Sequence, residues 1–288
     1  MSNAAQAAAS RGRHVLLIGC DFSSAPTSRK PIVVALGSAS DGRVALHGFE
    51  CFASLDAWGC WLAETPQWIG AFDFPFGLPR ELVVDLGWPS EWKLLIEHYA
   101  AIDRSTIRDT FAAFCAARPS GSKFAHRATD RPAGSSPSMK WVNPPVAFML
   151  HAGVSRLIAA GASLPGLHVA AEGGSRIALE GYPGLLAREL VGRRSYKSDQ
   201  VAAQTAQRRL VRNDLLAALE RGSSRLELRL VVPGDLRERL LADAKGDHID
   251  AVQCLVQAAW AAARRTSEGP GYGLPSTVDP LEGWIVTA

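Results

Sequence analysis

The sequence has few cysteines, and their spacing forms no known pattern. Among its 288 residues there are five cysteines, and no two of them form a Cys-x-x-Cys pair. An odd, scattered set argues against a disulfide framework and against a zinc ribbon. It favours a reducing compartment, so the expected location is cytoplasmic. The cysteines are Cys20, Cys51, Cys60, Cys115 and Cys254.

Long apolar runs and a strong charge imbalance are also lacking. No stretch of about 18 apolar residues is present, so no membrane span is expected. The segment 1–13 is rich in Ala and Ser without the apolar core of a signal peptide, and it is expected to be a disordered tail. A net charge of +3 is too small to indicate a nucleic-acid partner by itself. With 47% apolar and 20% charged residues, segment 14–288 is expected to form a single globular domain.

The segment 15–24 carries the first chemical signal. An apolar run reaches Asp21 and is followed by Phe22-Ser23-Ser24-Ala25-Pro26, which predicts a buried strand ending in a turn. A carboxylate at a strand end is costly to desolvate without a partner, and a metal ion or the hydroxyls of Ser23 and Ser24 could serve. Ser23 and Ser24 are also expected to contact a bound substrate. Alternatively, Asp21 caps the turn with its own side chain.

The next elements predict a sheet in which a second acid lies beside the first. Two further apolar runs flank the turn at Asp41-Gly42, which predicts a three-stranded antiparallel meander. A helix over 54–64 then leads to a strand over 68–73 that ends in Asp73. A helical crossover makes this strand parallel to its neighbour. If that neighbour is the first strand, Asp21 and Asp73 meet at the carboxyl edge of the sheet.

The middle of the chain predicts a large helical insertion over about 79–160. Apolar spacing near 3.6 supports three helices between 80 and 117 and a fourth over 145–160. Between them, segment 118–140 is basic and rich in Ser, Gly and Pro, and it includes Arg127 and Arg131. It is either a basic lid that binds a phosphate-bearing substrate or a solvated, mobile loop.

A third strand-end acid follows. Segments 168–172 and 175–180 predict strands, and the second ends in Glu180 before Gly181-Tyr182-Pro183. A long helix is predicted over 199–221, with Ser198 as its N-cap. Its residues Arg208, Arg209 and Arg212 are expected to form a solvated basic face.

The last motif is the Asp-x-x-Asp sequence of Asp247 and Asp250 at the start of an apolar helix. One interpretation is structural, since Asp247 as N-cap with Asp250 three residues later is close to a capping box. The other is that two carboxylates one turn apart bind a divalent ion. The alanines at 251, 258 and 259 would let this helix lie close to a sheet.

Taken together, these acids predict a metal site. Clustered carboxylates raise one another's pKa unless a cation is present. Oxygen ligands without His or Cys at ligand spacing favour Mg²⁺ or Mn²⁺ over zinc. Two such ions about 4 Å apart support phosphodiester hydrolysis. Lys197 is expected either to neutralise these acids when the metal is absent or to hold a substrate phosphate. Alternatively, it is an ordinary surface lysine. The predicted ligands are Asp21, Asp73, Glu180, Asp247 and Asp250.

The order β-β-β-α-β with these acids resembles the ribonuclease H-like superfamily, and the final Asp-x-x-Asp-Ala is similar to the last motif of RuvC-type resolvases. A closer resemblance is to a family of uncharacterised bacterial and archaeal proteins, described as predicted ribonuclease H-like nucleases and labelled as a domain of unknown function. It spans roughly 15–286. It implies an α/β ribonuclease H-like mixed sheet and nucleic acid or a nucleotide as partner. The matching motifs are Gly19-Cys20-Asp21, the stretch 72–79, Glu180-Gly181-Tyr182-Pro183, Tyr196-Lys197 and the segment 247–251.

Two other classes of function remain open. Actin-like sugar kinases share the superfamily, but their phosphate-binding hairpin is usually rich in Gly, and segment 22–26 contains no Gly. A non-catalytic binding protein could keep the acids for folding or for a metal, because a fold does not fix a function. Nothing in the pattern indicates an oligomeric state.

Overall fold

The computed structural model describes residues 15–171, 174–266 and 269–288. The expected tail at 1–13 lies outside the described residues, as does the end of the expected strand at 168–172. Within 168–171 the chain forms no strand; it makes only an isolated antiparallel bridge from His168 to Leu164.

The described residues form a six-stranded mixed sheet with the order β5-β4-β1-β2-β3-β6. The first three strands form the antiparallel meander, while β4 pairs parallel with β1 and β5 pairs parallel with β4. This confirms the predicted α/β fold with a meander plus parallel strands. The short edge strand β6, parallel to β3, was not predicted. The strands are β1 (Leu16–Asp21), β2 (Ile32–Ser40), β3 (Arg43–Phe52), β4 (Trp68–Phe72), β5 (Arg176–Glu180) and β6 (Arg229–Val231).

The helices include the expected insertion between β4 and β5, which comprises α2 to α6. Helix α1 crosses from β3 to β4, and the other four helices follow β5. No helix in the described ranges is long and apolar enough to cross a bilayer. The helices are α1 (Leu55–Glu64), α2 (Arg80–Asp85), α3 (Trp92–Ala101), α4 (Arg104–Ala116), α5 (Asp130–Ala133), α6 (Val146–Ala159), α7 (Pro183–Val191), α8 (Ala206–Arg221), α9 (Gly234–Ala242) and α10 (Asp247–Ala262).

The two faces of the sheet pack against different helices. Side chains alternate along a strand, so odd and even positions of β1 face opposite layers. Leu17 belongs to the apolar cluster that contains Val252 and Leu255 of α10. Ile18 belongs to the other cluster, together with Trp58 of α1 and residues of the insertion. We call the side of the sheet that packs against α10 the α10 face, and the side that packs against the insertion the insertion face.

Helix α10 lies directly on β1 because Gly19 has no side chain. A Cβ at Gly19 would be 2.1 Å from the carbonyl oxygen of Ala251 and 2.1 Å from the amide nitrogen of Leu255. Ala71, Cys254 and Ala258 form a small buried cluster at this contact. The expectation that small residues let this helix approach the sheet is confirmed, and the contact brings the first turn of α10 to the end of β1.

Two predictions about helix α8 are wrong. The helix begins at Ala206, with Thr205 as N-cap accepting from the amide of Arg208, so Ser198 is not its cap. Arg212 is buried rather than solvated, and its guanidinium donates to the carbonyl of Leu241. Arg212 lies on the same helix face as Leu215, Leu216 and Leu219. The 3.6-residue spacing of a helix could therefore have indicated that Arg212 is buried.

Candidate functional site

Asp21 and Asp73 lie side by side at the carboxyl edge of the sheet. Cys20 and Phe72 are register partners in the parallel β1–β4 pair, and the amide of Asp73 donates to the carbonyl of Cys20 at 2.9 Å. Adjacent strands are about 4.8 Å apart. Asp21 lies on the same side of β1 as Leu17 and Gly19, so its side chain points to the α10 face. Asp73 directly follows β4, and the charge of Asp250 on α10 raises its pKa, so it too lies near the first turn of α10.

Asp250 meets these acids from the first turn of α10. Its side chain is fully buried, and Oδ1 accepts from Tyr196 Oη at 2.5 Å and from Gln253 Nε2 at 3.1 Å. The ammonium of Lys197 contacts Oδ2. The charge of Asp250 raises the pKa of both Asp21 and Asp73, so the three carboxylates act electrostatically as one group.

The backbone around Lys197 is held by contacts that the sequence pattern did not reveal. Gly246 has φ +79°, and a Cβ there would be 2.7 Å from Cβ of Lys197, so a side chain would push the lysine away. The buried Arg212 donates from Nη1 to the carbonyl of Tyr196 at 2.7 Å. The amide of Ser198 donates to the carbonyl of Ala244 at 3.0 Å. These contacts fix the segment that presents Lys197 to Asp250.

Asp247 does not cap α10. Gly246 is the N-cap residue, and Asp247 is the first helical residue, so the capping-box interpretation is wrong. Asp247 is 8% exposed, and its negative charge raises the pKa of Asp21. Asp247 therefore contributes charge at the rim of the acidic cluster.

The pKa values of the paired strand-end acids are raised. Burial is the main cause at Asp21, followed by the charges of Asp250 and Asp247, and they raise its pKa well above the ordinary value. Burial and the charge of Asp250 raise the pKa of Asp73 to about 7. Lys197 opposes the shift at both acids without cancelling it. Burial and neighbouring negative charge therefore both disfavour the ionised forms of Asp21 and Asp73, and Lys197 offsets them only in part.

Lys197 is charged in this setting. Burial lowers its pKa, but the negative charge of Asp250, with a further contribution from Asp21, outweighs burial, and the pKa lies well above its usual value. Burial and Asp250 also raise the pKa of Tyr196, so its hydroxyl keeps its proton and donates it to Asp250. Lys197 still has 43% of its side chain exposed. Its ammonium can therefore reach both the acids and an approaching ligand.

Glu180 has a partner other than the expected metal ion. Its register partner is Phe72, so its side chain points to the insertion face, opposite to that of Asp21. Arg127 binds it through two hydrogen bonds of 2.6 and 2.7 Å, and the amide of Phe76 donates to it at 3.0 Å. The charge of Glu180 still raises the pKa of Asp73. Since Arg127 engages both carboxylate oxygens, we leave Glu180 out of the proposed metal ligands.

Arg127, a candidate substrate-binding residue, has a structural role in buried ion pairs. It is 2% exposed and pairs with Asp130 at 2.9 Å as well as with Glu180. It also donates to the carbonyl of Glu282 at 3.0 Å, so it joins the insertion to the C-terminal segment. The segment 118–140 is therefore not a solvated loop throughout, because Arg127, Asp130 and Met139 are buried.

The remaining predicted substrate residues lie at two other places. Arg131 is exposed and lines a basic cavity of about 550 Å³ with Lys123 and His126 on the insertion. Ser23 holds the turn after β1, where its Oγ accepts from the amide of Ala25 at 3.4 Å. Ser24 is buried, and its carbonyl accepts from Arg104 at 2.5 Å. In the described chain Ser23, rather than Asp21, makes the turn contact.

Two cavities adjoin Asp73, and both also include Tyr182 and Lys197. The first has a volume of about 220 Å³ and is mainly apolar, and we call it the Met149 cavity. The second has a volume of about 360 Å³, and we call it the arginine cavity. The basic residues of the arginine cavity are Arg188, Arg193, Arg194 and Lys197.

The cluster is not a ready-made coordination sphere. Within 15–171, 174–266 and 269–288, no group of three or more His, Cys, Asp or Glu side chains is spaced to hold a metal ion. The donor chemistry nevertheless fits a hard divalent cation, since the acids supply only oxygen ligands. A bound cation would also favour the ionised forms of Asp21 and Asp73, which burial and neighbouring negative charge disfavour. A metal ion would have to replace the ammonium of Lys197 at Asp250.

Comparison with known proteins assigns the chain to a family. Residues 19–276 match the model described as Protein of unknown function (DUF429). The chain belongs to the DUF429 family. No curated protein and no solved structure matches it. The span of the DUF429 match includes Asp21, Asp73, Lys197 and Asp250, so the whole acidic cluster lies inside the family region.

Several residues of this DUF429 site were not predicted to have a role. Tyr196 and Gln253 bind Asp250, and Arg212 holds the backbone of Tyr196. Gln253 lies one turn after Asp250 on α10, so helical spacing could have indicated its contact. The arginines at 188, 193 and 194 stand close to Tyr196-Lys197 in sequence, and this local excess of positive charge was a usable signal for the arginine cavity.

Proposed function

We propose that the protein is a divalent-metal-dependent phosphodiesterase of the ribonuclease H-like type that acts on nucleic acid. The observation that carries this proposal is the proximity of Asp21, Asp73 and Asp250 at the carboxyl edge of the sheet, where burial and the charge of Asp250 raise the pKa of both Asp21 and Asp73. The meander followed by a helix and a parallel strand supports the superfamily resemblance.

The acids would hold Mg²⁺ or Mn²⁺, with one or two ions at Asp21, Asp73 and Asp250 and with Asp247 at the rim. When bound, such an ion would stabilise the negative charge that develops on a phosphate during hydrolysis. Lys197 neutralises Asp250 in the absence of the ion. Because its side chain is partly exposed, Lys197 can turn from Asp250 to a phosphate oxygen when a cation takes its place.

The arginine cavity supplies a binding site for the anionic phosphate of the substrate. Arg194 is already paired with Asp214 at 2.6 Å, and Arg188 lies over the ring of Tyr182, with 5.4 Å from Cζ to the ring centroid. Arg193 is exposed and has no ion-pair partner among the described residues. A phosphodiester in this cavity would therefore lie next to Asp73 and Lys197.

Calorimetry with Mg²⁺ and Mn²⁺, followed by assays on DNA, RNA and nucleotides, tests the proposal. Wild-type protein is expected to bind at least one ion and to hydrolyse a polynucleotide only in its presence. Asp250→Asn is expected to fold, to lose the metal-induced rise in melting temperature and to lose hydrolysis. Asp41→Asn is the matched control, because Asp41 lies in the β2–β3 turn at the opposite end of the sheet.

A normal metal response in Asp250→Asn, together with a loss of stability, would make Asp250 a purely architectural residue. Metal binding without hydrolysis of any polynucleotide would favour the non-catalytic alternative. Transfer of the γ-phosphoryl group of ATP to an acceptor hydroxyl with release of ADP, without hydrolysis of any polynucleotide, would favour the phosphotransferase alternative. Each outcome is distinct from the others in the same set of measurements.

A further inference from the structure

The Met149 cavity and the arginine cavity differ in chemistry but meet at the same three residues. The walls of the Met149 cavity include Phe74, Val146 and Met149. The arginine cavity presents Arg188 and Arg193, two cations that pair with no carboxylate of the described residues, and Arg193 is exposed. Asp73, Tyr182 and Lys197 line both cavities, so a ligand that fills both must pass directly over the proposed reaction site.

A nucleotide has the same division of chemistry. Its phosphate is anionic, and its base is a flat ring that packs against apolar and aromatic side chains. A base that is stacked inside a duplex cannot enter a side pocket unless it is unpaired and rotated out of the helix. A single strand carries no such cost, because its bases are free to turn into a pocket.

We infer that the two cavities bind one unpaired nucleotide of a single-stranded nucleic acid, with the base in the Met149 cavity and its phosphate in the arginine cavity. This inference rests on the proposed function and names the substrate class of that site. The volume of about 220 Å³ suits a single base. Ser136 lines the same cavity and offers a hydroxyl to the edge of that base.

The position of Tyr182 supports this orientation. Its ring lies at the junction of the cavities, and its backbone amide is held by Gln257 at 3.0 Å. The guanidinium of Arg188 lies over the ring and donates to its hydroxyl at 3.3 Å. Tyr182 is therefore a fixed aromatic ring between the apolar cavity and the basic cavity. The sugar of a nucleotide, which joins the base to the phosphate, can pack on this ring.

The test is a binding measurement that does not depend on catalysis. Fluorescence anisotropy in EDTA compares a short fluorescein-labelled single strand with the duplex of the same sequence. Wild-type protein is expected to bind the single strand at least about tenfold more tightly, because only the duplex must unpair a base. Equal affinity, or tighter binding of the duplex, would overturn the inference.

Two variants locate the base and the phosphate. Met149→Trp fills the base cavity and is expected to remove the single-strand preference while leaving duplex affinity within about twofold. Val146→Phe is the second cavity-filling variant if Met149→Trp fails to fold. Arg193→Ala is expected to weaken both ligands and to reduce the salt dependence of binding by about one phosphate contact. An unchanged preference in a folded cavity-filling variant contradicts the base assignment.

These results separate the inference from the proposed function. If the protein prefers single strands but hydrolyses nothing with Mg²⁺ or Mn²⁺, the nucleotide site stands and the catalytic proposal fails. If it hydrolyses duplexes as fast as single strands, the catalytic proposal stands and the unpaired-nucleotide inference fails. Lys93→Ala is the charge control, because Lys93 is an exposed residue of α3 that lines neither cavity.

Discussion

Lys197 donates a hydrogen bond to Asp250, a fully buried carboxylate 53 residues away in the sequence. Lys197 follows α7 and Asp250 lies in the first turn of α10, so the pair forms only when these two parts of the chain pack together. The contact places a cation inside an acidic cluster whose other members, Asp21 and Asp73, carry raised pKa values.

Removing the ammonium of Lys197 should strengthen divalent-ion binding. Lys197→Met keeps the aliphatic stem but removes the charge that competes for Asp250, so the dissociation constant for Mn²⁺ should fall by about tenfold. Any phosphodiesterase rate should fall more than stability does, since the lysine would no longer reach the phosphate. Titration calorimetry and thermal melting measure both effects. Weaker Mn²⁺ binding in this variant would show that Lys197 does not occupy the place of the cation.

Neutralising Asp73 should stabilise the metal-free protein at high pH. The folded pKa is about 7 and the ordinary value is 3.8, so between these values the native state holds a proton that the unfolded state has lost. Native stability therefore falls as pH rises from about 4 to 7. Asp73→Asn should gain about 2 kcal/mol at pH 8, because one pKa unit is worth about 1.4 kcal/mol and water screens a half-buried group.

Denaturant unfolding at pH 4 and pH 8 in EDTA measures this effect. At pH 4 the two proteins should have nearly equal free energies of unfolding. A gain of the same size at both pH values would assign it to packing rather than to the charge of Asp73.

His248 should stabilise the protein at acidic and neutral pH. Burial lowers its pKa, but hydrogen bonds and the charge of Asp243 outweigh burial and raise it to about 9. The stabilisation is complete below about pH 6.5 and is lost as pH rises through 9. His248→Gln should lose about 2 kcal/mol at pH 6 and much less at pH 9.5. Asp243→Asn should reproduce this profile, because Asp243 contacts His248 Nδ1 at 2.9 Å.

Arg127 should be essential for stability. Arg127→Met leaves the buried Glu180 and Asp130 without their partner, and a broken buried pair costs about 3 to 5 kcal/mol. The exposed Arg131 gives the matched control, since Arg131→Met should change the free energy of unfolding by less than about 0.5 kcal/mol. Chemical denaturation compares the two. A similar small effect for both variants would mean that water solvates Glu180 well enough to replace the arginine.

A side chain at position 19 should separate α10 from the sheet. Gly19→Ala places a methyl group 2.1 Å from backbone atoms of α10, and overpacking against rigid backbone costs about 1 to 3 kcal/mol or more. Displacement of the helix should also move Asp250 away from Asp21 and weaken Mn²⁺ binding. Gly48→Ala on β3 is the control, since a Cβ there has no neighbour within 4 Å. Unaltered metal binding in Gly19→Ala would show that the close packing of α10 on β1 is not required for the metal site.

The sequence alone determined the strands of the meander, the helical insertion and the identity of the acids. Apolar runs bounded by turn residues depend on local chemistry, so β1 to β5 and most helices fall close to their predicted bounds. The small residues Ala251, Ala258 and Ala259 also indicated a close helix–sheet contact. Local patterns missed β6, which pairs with β3 through only three residues.

Only the tertiary structure decided which acids share a face. Glu180 pairs with Phe72 rather than with Asp73, and a shift of one residue in register reverses the face of a side chain. Asp21 and Asp73 therefore meet Asp250, whereas Glu180 meets Arg127. The burial of Arg127 depends on residues up to 155 positions away in the sequence. Register and long-range pairing are set by the packing of the whole domain, which no local pattern contains.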